Sequence, residues 1–139
     1  MTTASHSHPA AAAPLFTLAG SFLEGLAVQD FARLGDVLAA DARLRALLPG
    51  GLREWTGAKV IAGRFAGWFG DTDDFDLVEA IVGEVGGRLH LRWRLRLRAQ
   101  RLGPGWFIVE QQVYADTGEG GRITRLDLLC TGYVPEDAG

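Results

Sequence analysis

The sequence predicts an α+β fold: three N-terminal helices packed on a curved, mostly antiparallel sheet. Two observations carry this prediction. From Arg88 to Arg98 the chain alternates without a break, with Leu89, Leu91, Trp93, Leu95 and Leu97 on one parity and Arg88, His90, Arg92, Arg94, Arg96 and Arg98 on the other. Period two over such a length belongs to a β-strand, because successive side chains point to opposite faces. Second, glycine-rich turns punctuate everything after Phe75, whereas the apolar residues before Gly70 recur mainly at helical spacing.

The chain has 139 residues and a net charge of −3. That length suits one domain large enough to fold without a disulfide or metal staple. We expect a disordered arm over residues 1–14, the domain over 15–134 and a short tail over 135–139. The arm is Ala, Ser, Thr, His and Pro without periodicity, and His6 and His8 read as tail residues, not as a metal site. Cys130 is the only cysteine, so no internal disulfide and no cysteine-based zinc site is expected. No metal or cofactor is expected, and a reducing cytoplasm is the natural compartment. No apolar run approaches the roughly 20 residues of a membrane span. The negative net charge argues against nucleic acid as a partner.

The elements follow in order. Leu15, Leu18, Phe22, Leu23 and Leu26 mark a first helix. Asp30 is placed to cap a second, with Phe31, Leu34, Val37 and Leu38 on one face. Leu44, Ala46 and Leu48 alternate with Arg43 and Arg45 in a strand from Ala42, which Pro49-Gly50-Gly51 ends before a short extended piece, Leu52 to Trp55. Gly57 opens a third helix with Val60, Ile61, Phe65, Trp68 and Phe69 on one stripe, and Gly70 stops it. Strands Phe75–Val85, Arg88–Arg98, Trp106–Asp116 and Arg122–Val134 then form a meander through tight turns, the first at Gly86-Gly87.

This arrangement resembles the nuclear-transport-factor-2-like superfamily, the cone-shaped fold of the ketosteroid isomerases and SnoaL-like polyketide cyclases. The resemblance rests on the Gln29-Asp30-Phe31 join, Gly57, the Arg92-Trp93 pair in a long strand, and the closing hairpin from Val113-Tyr114-Ala115-Asp116 to Gly121-Arg122-Ile123. It covers about residues 15 to 134. It implies a pocket between helices and concave sheet, and often a dimer built on the outer sheet face. It does not imply one activity, since the fold hosts isomerases, cyclases, epoxide hydrolases, dehydratases and binders.

Each unpaired arginine buried beneath the helices would cost several kcal/mol. The leucine and tryptophan parity must therefore face inward. By the same logic Leu44, Ala46, Leu48, Trp93, Val109, Gln111, Leu128 and Cys130 line the concave face, and Trp55, Phe65, Trp68 and Phe69 close it. The expected ligand is an apolar small molecule.

The resemblance implies an inward Asp, paired with a second proton-moving group, in isomerase and cyclase members. The corresponding place holds Gln111, which orients a carbonyl or water but cannot act as a general base. The epoxide hydrolases use an Asp-Arg-Asp relay, which Asp127, Glu110 and a strand arginine would imitate only by turning inward. Glu79 shares a parity with Phe75, Leu77 and Ile81, which would set a carboxylate on an apolar face; the competing reading makes it a cross-strand partner of Arg92 or Arg94. Tyr133 offers a hydroxyl. Catalytic candidates are thus Gln111, Glu79, Asp127 and Tyr133, and Gln111→Leu is expected to weaken a ligand contact while leaving folding intact. The competing functions are an isomerase-, cyclase- or hydrolase-type enzyme of secondary metabolism and a non-catalytic binding or dimeric accessory protein. A homodimer is expected through the outer face, with Arg92, Arg94, Arg96 and Glu110 at its centre and apolar area from Trp106 and Ile108.

Overall fold

The computed structural model describes residues 7–138. Three helices, α1 (Ser7–Ala27), α2 (Phe31–Asp36) and α3 (Ala58–Phe69), lie with a seven-stranded sheet of β1 (Leu38–Leu48), β2 (Gly51–Thr56), β3 (Asp74–Val85), β4 (Arg88–Arg98), β5 (Phe107–Thr117), β6 (Ile123–Cys130) and β7 (Val134–Pro135). The strand order is β2-β1-β6-β5-β4-β3, with β7 added beside β5. Pairing is antiparallel except between β1 and β6. Among the described residues, no helix is long and apolar enough to cross a membrane.

The helices are two long ones and a single short one, not three comparable ones. Helix α1 begins at Ser7 and takes in Ser7 to Pro14, which the sequence pattern leaves to a disordered arm; Ala10 to Ala13 are the strongest helix formers. Residues 1–6, with His6, lie outside the described residues. Helix α2 is capped as expected, Asp30 accepting from the Arg33 backbone N–H at 3.1 Å. It stops at Asp36 and does not continue through Leu38. The Val37 carbonyl accepts from the Ile123 N–H at 2.9 Å, so sheet pairing takes over where the helix would have gone on. Between α1 and α2, Gln29 adopts a left-handed backbone (φ 59°), and its amide donates to the Phe69 carbonyl at 2.7 Å and to Thr72 Oγ1 at 2.9 Å. The helix-Asp-helix join is thereby tied to the end of α3.

The concave face carries the core. Leu89, Leu91, Trp93, Leu95 and Leu97 are buried on β4, and Phe107, Val109, Gln111, Val113 and Ala115 on β5. Phe22 of α1 packs on Trp93 and edge-on against Phe65 of α3, with centroids 5.5 and 5.7 Å apart.

Irregularities alter strict alternation. In β3 the register shifts between Leu77 and Glu79: Leu77 pairs with Leu95, but Glu79 pairs with Arg94. The extra residue, Val78, moves every later side chain to the opposite face. Near the start of β6 a second shift lets Ile123 and Leu126, three apart in sequence, both enter the core. The last strand also ends earlier than the expected Val134. Strand β6 stops at Cys130, Thr131 to Tyr133 leave the sheet, and only Val134–Pro135 rejoin it.

Candidate functional site

The β5–β6 ladder ends at the pair Gln111–Cys130. Beyond it β6 departs, and a cleft of about 410 Å³ opens on the concave side. Leu48 and Pro49 come from the end of β1, Trp68 and Phe69 from the last turn of α3, Val109 and Gln111 from β5. The departing segment Cys130–Tyr133 completes the wall. Pro49 and Gly132 touch closely there: a Cβ on Gly132 would sit 2.6 Å from Pro49 Cγ, and Gly132 has φ 78°. Two separate constraints therefore call for glycine at this point.

Of the polar groups, Gln111 is the most deeply buried, at 2% exposure. Its Oε1 accepts from Trp93 Nε1 at 3.0 Å, and its Nε2 donates to Cys130 Sγ at 3.2 Å. Cys130 Sγ also accepts from the Gly132 N–H at 3.3 Å. Tyr133 donates its hydroxyl hydrogen to the Trp68 carbonyl at 2.6 Å. Arg101, in the single turn Gln100–Leu102 after β4, donates through Nη2 to that carbonyl at 2.7 Å and to Tyr133 Oη at 3.1 Å.

The expected binding residues divide. Trp68, Phe69, Val109, Gln111 and Cys130 line the cleft together with Tyr133. Trp93, Phe65 and Leu128 are fully buried core residues and are not among its lining residues. Trp55 is not among the lining residues either; it packs edge-on to Trp68 with centroids 6.0 Å apart and with Arg64 over its ring. The interior that the sequence reading left open to a ligand is filled by Phe22, which reaches Trp93 from α1.

Glu79 and Asp127 are not in the cleft. The β3 bulge turns Glu79 outward, 4.0 Å from Arg94, so the cross-strand reading is the one that matches the geometry. Asp127 stands on the outer face between Arg88 at 2.9 Å and Arg45 and Arg125 at 3.4 Å. Partial burial pushes its carboxyl pKa up, but the Arg88 hydrogen bond and the charges of Arg125, Arg88 and Arg45 outweigh it and hold the group below its ordinary range. Sequence reasoning missed Arg101, Pro49, Thr131 and Gly132. No spacing announces them, because they meet only where β6 leaves the sheet.

Most arginines of the outer face are paired within one chain. Arg94 pairs with Glu110 at 2.6 Å, Arg96 with Glu136 at 2.7 Å, Arg98 with Asp74, and Arg88 with both Asp116 and Asp127. Arg96 also stacks on Trp106, 3.7 Å from the ring centroid. Among the described residues Arg92 has no such partner. It belongs to a row running across the sheet through Leu52, Leu47, Leu129, Gln112, Arg92 and Ile81. Leu52, Leu47, Leu129 and Ile81 in that row are exposed. A shallow hollow of about 500 Å³ lies over it and shares Gln111 and Cys130 with the cleft as a common wall.

No family model and no curated protein matches the sequence. Solved structures do match the fold. A candidate polyketide cyclase from Xanthomonas campestris pv. campestris superposes with a TM-score of 0.65 at 15% identity, over 84% of this chain and 89% of that one. A phenazine biosynthesis-related protein from Pseudomonas aeruginosa gives 0.67 at 13% identity, over 90% and 86%. A steroid delta-isomerase from the same species gives 0.60 at 17% identity, over 85% and 80%. At these identities the likeness is one of architecture, and the chain has the cone-shaped α+β fold seen in SnoaL-like, ketosteroid-isomerase-like and NTF2-like proteins.

Proposed function

We propose that this protein holds an apolar cyclic small molecule in the cleft between Trp68, Phe69 and the Cys130–Tyr133 segment, as a binding protein without an acid–base pair of its own. One observation carries the reading. The lining contains neither carboxylate nor imidazole; its polar side chains are Gln111, Cys130, Thr131 and Tyr133. None of these is a general base at neutral pH in the manner of a buried carboxylate. The volume and aromatic wall suit a ligand of modest size. Cys130 is a built-in reporter, being the sole cysteine and part of the wall. Alkylation of Cys130 by iodoacetamide is therefore expected to slow when an apolar ring compound is added. An unchanged rate across a panel of ring compounds would sink the reading.

A second reading, an enzyme of the cyclase or isomerase type, is favoured by Tyr133, whose hydroxyl lies at the cleft wall next to a cation. It also draws on the neighbours described as a polyketide cyclase and a steroid delta-isomerase. Mass-spectrometric turnover of a bound candidate, lost in Tyr133→Phe, would support it.

We also propose a homodimer through the outer face. Its support is the exposed row of Leu47, Leu52, Leu129 and Ile81, not the charges of Arg94 and Arg96, which Glu110 and Glu136 balance.

A further inference from the structure

We propose that the ligand of the cleft carries an anionic oxygen group, a carboxylate or an enolate, and that Arg101 receives it. This inference rests on the ligand-holding reading above and adds the ligand's charge.

Arg101 touches the cleft through two of its wall residues. Both of its hydrogen bonds, to the Trp68 carbonyl and to Tyr133 Oη, use Nη2. A guanidinium has five N–H donors, so Nε and Nη1 keep theirs. Its central carbon also lies over the Tyr133 ring, 5.1 Å from the centroid. Tyr133 cannot turn its own hydrogen toward Arg101, because that hydrogen is committed to the Trp68 carbonyl at 2.6 Å.

On β4, Arg88, Arg94, Arg96 and Arg98 each meet a carboxylate, and among the described residues Arg92 does not. Arg101, three residues beyond Arg98, forms no ion pair among the described residues, and no acidic residue lines the cleft it borders. A positive charge hydrogen-bonded to two wall residues of an apolar cleft attracts anions and raises their local concentration. The planar fork suits a carboxylate in particular. A neutral ring compound would fill the aromatic wall and leave the remaining donors in water. An amine would be repelled. The rival explanation is structural: Arg101 serves only to cap the carbonyl end of α3. That role would make ligand charge irrelevant, which gives the test.

The probes are 2-naphthoic acid and its neutral isostere 2-naphthamide, titrated calorimetrically into the full chain at low salt, with Cys130 alkylation read in parallel. The acid is expected to bind at least about tenfold tighter than the amide, the scale of one charge-assisted contact. Arg101→Gln should bring the acid down to the level of the amide and leave the amide unchanged. Arg101→Lys, which keeps the charge and loses the fork, should fall between. It also serves as the second variant should Arg101→Gln fail to fold. Equal affinities in the unmodified protein, or an acid preference that survives Arg101→Gln, would overturn the proposal while leaving the cleft as an apolar binding site. If neither compound binds or slows alkylation, the cleft reading and this inference fall together.

Discussion

Trp93 and Gln111 face each other across β4 and β5, and the indole Nε1 donates to the amide Oε1 at 3.0 Å on the buried side of the sheet. The pair explains how a glutamine survives at 2% exposure on an otherwise apolar face. The indole and the amide oxygen satisfy each other, and the amide Nε2 donates to Cys130 Sγ at 3.2 Å. Gln111→Leu leaves the indole N–H buried and unpaired. It is therefore expected to lower stability by about 1–3 kcal/mol while still leaving a folded protein. Urea denaturation checks this, and a change below a few tenths of a kcal/mol would contradict the pairing.

Gly132 holds the departing segment against Pro49 at a left-handed φ of 78°. Alanine there meets both the backbone strain and the proline ring. Gly132→Ala should cost about 1–3 kcal/mol and speed Cys130 alkylation by loosening the wall. Unaltered melting and labelling would mean the segment adapts freely.

Asp127 gathers Arg45, Arg88 and Arg125, and its folded pKa is depressed. A depressed carboxylate contributes stability above its unfolded pKa, near 4, and that contribution is lost as pH falls through the lower folded value. Asp127→Asn should thus be less stable than the unmodified protein at pH 7, by on the order of 1 kcal/mol after allowing for solvent screening. The gap should close as the pH drops below about 4. A gap that is constant or widens in acid would count against this.

Leu129 and Leu47 are neighbours in the exposed apolar row. If that row is a two-fold contact, sedimentation equilibrium should find a dimer at micromolar concentration, and Leu129→Asp should yield monomers with unchanged melting at low concentration. A monomeric unmodified protein would refute it.

Phe65 is expected to act through the core, not the ligand. It is fully buried against Phe22 and Trp68. Phe65→Ala should cost about 3–5 kcal/mol in unfolding experiments.

The parity of the central strand follows from residue order alone, because charge cannot be buried unpaired, and with it the inward placement of Trp93, Val109 and Gln111. Residue order also determines the cap at Asp30 and the turn at Gly86-Gly87, which depend on local backbone geometry alone. The face of Glu79, in contrast, depends on how β3 pairs with β4. A bulge is an adjustment between paired strands, and nothing in the alternation of β3 marks Val78 as the extra residue. The same holds for the end of α2, where Ile123 claims the Val37 carbonyl from far along the chain. The cleft was legible only in part for this reason: Trp68, Phe69, Val109, Gln111 and Cys130 were expected in its wall, but Pro49, Thr131 and Gly132 were not. Pro49, Trp68, Arg101 and Tyr133 are distant in sequence, and they meet only because β6 leaves the sheet at Cys130. Phe22 meanwhile fills the interior that the apolar parity alone would have left to a ligand.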